Sequence, residues 1–258
     1  MRVAIMQPTW LPWIGYFDLI DQVDLFVFLD TVQYRRRSWQ SRNVLKTRDG
    51  LRYLSIPVAN TGRDKTRIVD AVVRPTNHVE KWLRTIEQFY GRANAFRSHY
   101  PFIAEHISSI RNGDKLADVN IAFILKAMSH LGITTETVRA SDLQNFDGRV
   151  ERLVNIAKHL NAETYVSPPG AASYLRDGRK SFQDSGLSLC FQRYDHPVYP
   201  QCCGPFVGYV SIIDLLLNTG ESAGSILRSG QRNPIPATEY LGDTVEEAEL
   251  KNGDIEAA

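Results

Sequence analysis

The chain has few of the residues that mark disulfide-bonded, metal-binding or membrane proteins. Only three of its 258 residues are cysteines, Cys190, Cys202 and Cys203, and none forms a CxxC pair. This spacing excludes a disulfide framework and a zinc motif. No apolar run approaches the roughly 20 residues of a membrane span, and the run after Met1 is too short for a signal peptide. We therefore expect a cytoplasmic protein with no metal and no stable membrane insertion.

An excess of charge of one sign is also missing. Thirty Lys and Arg residues face 29 Asp and Glu residues, and the net charge is +1. Proteins that bind nucleic acid or acidic membranes over their whole surface are usually more basic. The chain has no GxGxxG, Walker A or GxSxG motif, so the usual dinucleotide, P-loop and hydrolase signatures are absent. We expect no nucleic-acid partner, and nothing in the sequence specifies an oligomeric state.

The order of apolar patterns predicts an α/β fold with an open, mostly parallel, Rossmann-like sheet. A short apolar run at Arg2–Gln7 predicts a first strand, a helical spacing follows Pro12, and Asp24–Asp30 predicts a second strand. The pair Asp49-Gly50 between two β-rich runs predicts a β-hairpin insertion. A further strand is expected at Arg67–Val73, and a helical middle segment follows it.

Residues 1–232 are predicted to form a single α/β domain. Asn77 and Ser211 are expected to begin helices, and "ETYVSP" and "GLSLCFQRY" are expected to be strands. After Arg232 the chain becomes acidic and poor in large apolar residues. Residues 233–258 are therefore predicted to be a loosely ordered tail.

Polar and aromatic side chains follow the first two predicted strands. Ligands in open α/β sheets bind outside the carboxyl ends of the strands, so we expect these two loops to be neighbours. Asp30 is a candidate general base, tryptophan rings offer flat binding surfaces, and a glycine permits close approach. The candidate ligand contacts here are Gln7, Thr9, Trp10, Trp13, Gly15, Tyr16 and Gln33.

A run of arginines follows in "RRRSWQSRN". Arginine suits phosphate because its planar fork gives paired, charge-assisted hydrogen bonds. Such a run is often only a solvated surface, but a tryptophan inside it indicates a segment that a buried aromatic anchors. The candidate contacts to a phosphorylated ligand are Arg36, Arg37, Trp39, Arg42 and Asn43.

Two later segments carry further candidates. In the proline-stiffened "DHPVYPQ", His196 is a candidate general base, with Tyr199 and Gln201 as binding residues; the alternative is a histidine that braces a turn.

In "YVSPPGAASYL", a predicted strand leads through a turn into a helix start that could hold an anion; the alternative is a tight turn that needs Pro and Gly. The candidates there are Ser167, Gly170 and Tyr174.

Three stretches together resemble the WbqC-like protein family. They are Met6–Asn43, Tyr165–Leu175 and Tyr194–Gly220, and the resemblance covers roughly residues 1–220. It implies a setting in bacterial surface-polysaccharide biosynthesis, for O-antigen or capsule, and a nucleotide-linked amino sugar as the small-molecule partner.

Within that setting, we expect a transferase that moves an acyl or aminoacyl group to the amine of the sugar. Asp30 or His196 would act as the base, and acyl-CoA or a carrier-bound acyl or aminoacyl group would be the donor. One alternative is a non-catalytic nucleotide-sugar-binding or scaffold protein. Another is a relative of nucleotidylyltransferases, because Trp13-Ile14-Gly15-Tyr16 stands where HxGH-type enzymes carry their motif, with both histidines replaced by aromatic residues.

Overall fold

A computed structural model describes residues 1–59, 65–75 and 77–241. Its main feature is a six-stranded sheet, and a separate two-stranded hairpin lies beside it. The strands of the main sheet are β1 (Arg2–Met6), β2 (Leu25–Phe28), β5 (Glu136–Arg139), β6 (Thr164–Ser167), β7 (Ser188–Tyr194) and β8 (Gln231–Pro236). The hairpin consists of β3 (Arg42–Thr47) and β4 (Gly50–Ser55).

The spatial order of the sheet is β5-β2-β1-β6-β7-β8. All neighbours pair in parallel except β7 and the edge strand β8, which are antiparallel. From β1 the chain builds β2 and β5 on one side and β6, β7 and β8 on the other, so the strand order reverses between β1 and β6. That reversal is the topological switch point beside which doubly wound sheets bind ligands. The predicted mostly parallel α/β sheet is confirmed.

Helices cover both faces of the sheet. Alternate strand residues point to opposite faces: Ala4 and Phe26 join one apolar core, and Val3 and Val27 join the other. The first core includes α1 (Ile14–Asp21), the middle helices α2 (His78–Tyr90), α3 (Phe96–Ser109) and α4 (Leu116–Leu131), and the later α8 (Ile212–Thr219) and α9 (Ala223–Ser229). The second includes α5 (Val150–His159), α6 (Ala172–Asp177), α7 (Arg179–Asp184) and α10 (Ala237–Tyr240).

The hairpin turns where Asp-Gly predicted it. Thr47 pairs with Gly50, and Gly50 has a φ of 121°, a conformation that glycine adopts without a steric penalty. One face of the hairpin carries Leu45 and Leu54 into the core. Its other face, which we call the outward face, carries Arg42, Val44, Lys46, Leu51, Tyr53 and Ser55. Leu51, Tyr53 and Ser55 are exposed, whereas Val44 and Lys46 are buried under other parts of the chain.

Two segments differ from the sequence prediction. Instead of a strand, Arg67–Val73 contains a short 3-10 helix at Ile68–Asp70 and makes only isolated bridges on either side of it. Arg67 Nε donates a hydrogen bond to Asp70 Oδ2 at 2.7 Å, a contact three residues apart that favours a turn over a strand.

The second difference concerns the predicted tail at residues 233–258. Residues 233–236 belong to β8, and α10 follows directly. Pro234 and Pro236 make this stretch look unlike a strand, but β8 is at the sheet edge, where proline is tolerated. Residues 242–258 lie outside the described part of the chain. Of the helices in the described ranges, none combines the length and apolar character that crossing a bilayer requires.

Candidate functional site

Three of the predicted phosphate-binding arginines line one open groove of about 730 Å³. Two tyrosines and two serines complete its polar lining. We call it the arginine groove; its lining residues are Tyr34, Arg36, Arg37, Ser41, Arg42, Tyr53, Ser55 and Ile56.

The hairpin register holds one side of this groove. Val44 pairs with Tyr53, so Tyr53 shares the outward face with Arg42. The Arg42 guanidinium carbon lies 4.6 Å from the centre of the Tyr53 ring, a cation–π contact. The ring therefore holds the guanidinium over the groove without using any of its N–H donors.

The loop before β3 supplies the other side. Gln40 Oε1 accepts a hydrogen bond from the backbone N–H of Arg35 at 2.8 Å, and Tyr34 Oη donates to Ser41 Oγ at 3.1 Å. Within this closed turn Arg37 has a φ of 58°, which is uncommon for a residue other than glycine. The loop therefore presents Arg36 and Arg37 as exposed side chains on a backbone held at both ends.

The loops after β1 and β2 are neighbours, as predicted. Gln40 Nε2 donates to Gln7 Oε1 at 2.6 Å, and the backbone N–H of Trp10 donates to the backbone carbonyl of Trp39 at 2.9 Å. The amide of the buried Asn43 donates to the carbonyls of Trp10 and Leu11 at 3.1 and 2.9 Å. The groove is thus attached to the loop that leaves the switch point.

Asp30, the first candidate base, is fully buried at the end of β2. Its Oδ2 accepts from Arg139 Nε at 3.0 Å and from Ser141 Oγ at 2.8 Å, and its Oδ1 accepts from the Ser141 N–H at 2.9 Å. Arg139 also contacts Asp118 at 2.6 Å. The carboxylate therefore joins the ends of β2 and β5 to α4.

His196, the second candidate base, lies in a group of ring side chains after β7. We call this group the aromatic cluster; it consists of Trp13, Tyr194, His196, Tyr199, Phe206 and Tyr209. The imidazole is nearly parallel to the Trp13 indole, at a centroid distance of 6.2 Å and an angle of 17°. The indole covers Gly15, where any Cβ would overlap it, so glycine is needed there for close packing.

Both nitrogens of His196 have backbone partners. Nε2 accepts from the Tyr209 N–H at 3.1 Å, so Nδ1 carries the proton and donates to the Pro197 carbonyl at 2.9 Å. Burial lowers the pKa of His196 below its ordinary value, which keeps the ring neutral at pH 7. The histidine braces its turn in this state.

A buried polar network surrounds Asp214 of α8. Tyr199 Oη and Gln201 Nε2 donate to Asp214 Oδ1 at 2.9 and 2.8 Å, and Tyr90 Oη donates to Oδ2 at 3.0 Å. Gln201 Oε1 accepts from Lys46 Nζ at 2.7 Å. Burial raises the pKa of the Asp214 carboxyl. Tyr199 and Gln201, predicted as ligand contacts, attach the loop after β7 to α2, α8 and the hairpin.

The turn after β6 carries Ser167, Gly170 and Tyr174. Ser167 is fully buried and its Oγ contacts the Pro168 carbonyl at 3.3 Å. Gly170 is exposed, and the Tyr174 ring lies 4.0 Å from the Arg149 guanidinium carbon. The helix that follows is only six residues long, so its amino end has a weak dipole for an anion.

The remaining candidates divide by exposure. Thr9, Trp10 and Tyr16 are interior residues; Trp10 packs on Trp82 at 5.6 Å, and Tyr16 Oη donates to the Gln7 carbonyl at 3.1 Å. The HxGH-like segment therefore begins α1, as predicted, but turns Tyr16 inward. Gln33 is exposed.

Trp39 differs from expectation, because 44% of it is exposed. It does not anchor the arginine loop by burial. Gln40 and Tyr34 do so through hydrogen bonds.

Several residues of the site were not identified from the sequence. Tyr53 could have been found from the Asp-Gly turn, since the hairpin register places position 53 opposite Val44 and diagonal to Arg42. Asp214 and Tyr90 had no local signal, because their partners are far away in the chain. In the described ranges, no group of three or more His, Cys, Asp or Glu side chains is arranged to hold a metal ion.

The fold is that of a doubly wound α/β protein with an arginine-lined groove attached to the loop after β1. The chain belongs to the WbqC-like protein family, whose model matches residues 7–226. It is similar to the uncharacterized protein Rv1507c of Mycobacterium tuberculosis, with 35% identity over 231 residues, which are 88% of this chain and 97% of that protein. No solved structure matches the chain.

Proposed function

We propose that this protein binds a nucleotide-linked amino sugar of bacterial surface-polysaccharide biosynthesis, with the diphosphate in the arginine groove. The observation that carries the proposal is the convergence of Arg36, Arg37 and Arg42 on one groove. Guanidinium groups bind phosphate oxygens through paired, charge-assisted hydrogen bonds. The surface-polysaccharide setting rests on the family resemblance, and the three unpaired cysteines are consistent with a reducing, cytoplasmic location.

The groove differs from an ordinary solvated run of charges. The Tyr53 ring holds Arg42 in place. The Arg42 side chain therefore loses less conformational entropy when a ligand binds. The volume of about 730 Å³ falls within the range of roughly 300–1,000 Å³ typical of small-molecule sites. Serine hydroxyls and tyrosine rings beside the arginines suit the sugar part of such a ligand.

Replacing Arg42 or Arg36 with alanine should weaken binding of UDP-N-acetylglucosamine. Each loss removes charge-assisted hydrogen bonds, worth about 1.5–3 kcal/mol, so we expect roughly 10- to 100-fold weaker binding. Isothermal titration calorimetry measures the dissociation constant of the native protein and of each variant. Arg35→Ala is the matched control, because Arg35 is exposed in the same loop but does not line the groove. Equal affinities for all three variants and the native protein would contradict the proposal.

Acyl or aminoacyl transfer to the amine of that sugar is the second candidate function. The observation that favours it is the hydrogen bond that Nε2 of His196 accepts from the Tyr209 N–H, because it leaves that nitrogen unprotonated and only an unprotonated nitrogen can act as a base. In the reaction, the amine nitrogen bonds to the donor carbonyl carbon, and its proton passes to Nε2, which must first release the Tyr209 N–H. The C–S bond to CoA or to the carrier then breaks, and the leaving thiolate takes that proton from the imidazolium. Asp30 is the alternative base, but it would first have to release its Arg139 and Ser141 partners.

His196→Asn should reduce product formation by about 100-fold or more, the usual contribution of a general base. The assay combines UDP-linked amino sugar with acetyl-CoA and detects the N-acyl product by mass spectrometry. Saturating sugar nucleotide separates catalysis from binding. An unchanged turnover in the variant would exclude His196 as the base, and absence of product from the native protein with any donor would leave a binding role alone.

A further inference from the structure

Tyr209 is held in a strained and exposed position. Its φ is 59°, a left-handed conformation that is a genuine outlier for a bulky residue. The bond from its N–H to His196 Nε2 maintains this conformation. Among the described aromatic residues Tyr209 is the most exposed, at 58%. Strain of this kind persists only when the surroundings impose it, and it concentrates at binding and active sites.

The side chain of Tyr209 has an aromatic support. Its ring centre lies 5.3 Å from that of Trp13, at an angle of 37°. The Trp13 indole is in turn stacked with His196 and packed edge-on against Tyr194. The phenol therefore has a rigid backing on one side while most of its surface remains in solvent, the arrangement of a stacking platform for a planar ring.

This platform continues the face that carries the arginine groove. The Ser211 N–H donates to the Val44 carbonyl at 2.9 Å, and Lys46 Nζ contacts Gln201 and Pro205. The loop after β7 therefore covers the Val44–Lys46 end of the outward hairpin face. Arg42 lies on the same face at the uncovered end.

The distance between the two features is limited by the chain. Tyr209 is two residues from Ser211, and Arg42 is two residues from Val44. Two residues span at most about 7 Å, and hydrogen-bonded strands lie about 5 Å apart, so the two Cα atoms are within roughly 20 Å. The long Arg42 and Tyr209 side chains reduce the gap that the ribose must span between the nucleobase and the diphosphate of one ligand.

We propose that Tyr209, supported by Trp13, is the stacking platform for the nucleobase of the ligand. The inference rests on the proposed function, since it assumes that the same ligand places its diphosphate in the arginine groove. It gives the space beside His196 to the nucleobase, because the ring centres of Tyr209 and His196 are 5.1 Å apart, and it is therefore an alternative to the transfer in which His196 is the base. Stacking is tolerant of base identity because every base presents a π-face. The platform should therefore accept both uridine and adenosine diphosphates.

The test compares pyrophosphate with UDP and ADP, by calorimetry, for the native protein, Tyr209→Ala and Tyr209→Phe. Pyrophosphate needs only the arginines, whereas UDP and ADP also use the platform. We expect Tyr209→Ala to weaken UDP and ADP binding by about tenfold, to leave pyrophosphate binding unchanged, and Tyr209→Phe to behave as the native protein.

The outcomes separate the two proposals. If UDP binds the native protein and Tyr209→Ala equally, the platform is overturned while the groove stands. If neither pyrophosphate nor the nucleotides bind the native protein, the proposed function fails and the platform fails with it. Equal weakening of pyrophosphate and UDP in Tyr209→Ala would show a general structural effect and would overturn the platform.

Discussion

Replacing Asp214 with alanine is expected to lower the free energy of unfolding by about 3–5 kcal/mol. The change leaves Tyr90 Oη, Tyr199 Oη and Gln201 Nε2 without their acceptor in the interior. Each unsatisfied buried donor costs about 1–3 kcal/mol, and removing one member of a buried charged network typically costs about 3–5 kcal/mol. Lys46, which is buried, also loses a nearby opposite charge.

Urea denaturation at pH 7.5 measures this effect. Asp177→Ala is the control, because Asp177 is exposed and such changes usually stay within about 0.5 kcal/mol. Tyr90→Phe removes one donor to Asp214 and also the oxygen that accepts from the buried Lys46 backbone N–H at 3.1 Å, so it should cost about 1–3 kcal/mol. A loss below about 1 kcal/mol for Asp214→Ala would mean that the network does not hold the loop after β7.

Local patterns predicted the parts of the fold whose determinants are close together in the sequence. The β1–α1–β2 unit follows from an apolar run, a helical spacing and a second apolar run. The hairpin follows from Asp49-Gly50, and the cap at Ser211 follows from residue type. The adjacency of the loops after β1 and β2 was also predictable, because parallel neighbouring strands end at the same sheet edge.

Partners distant in the chain were not predictable. Asp30 reads as a free carboxylate after a strand, but it contacts Arg139, which is 109 residues later. The sequence predicts Tyr199 and Gln201 as ligand-binding loop residues, but both donate hydrogen bonds to the buried Asp214 on the next helix. Trp39 reads as an anchor, but polar contacts hold its loop and leave the indole exposed. Pairings of this kind depend on which elements pack together, and periodicity does not encode that.

Asp18 is the second residue for which a large effect is expected. It is fully buried in α1, where Gln22 and Gln192 donate to Oδ2 and no partner contacts Oδ1. Burial raises the pKa of this carboxyl to about 6. The native protein therefore binds a proton between about pH 4 and pH 6 that the unfolded chain releases, so this group makes the protein less stable as the pH rises through that window. Above about pH 6 the stability lost through Asp18 no longer changes with pH.

Asp18→Asn should accordingly make the protein more stable at pH 7.5, by about 2–3 kcal/mol. A pKa difference of about two units corresponds to that energy, and the asparagine oxygen still accepts from Gln22 and Gln192. Because asparagine does not titrate, the gain should shrink below pH 6 and vanish near pH 4. Urea unfolding of both proteins at pH 4.5, 5.5 and 7.5 measures the trend, with Asp177→Asn as control. A difference that is independent of pH, or a loss of stability at pH 7.5, would show that Asp18 is not held as a desolvated carboxyl.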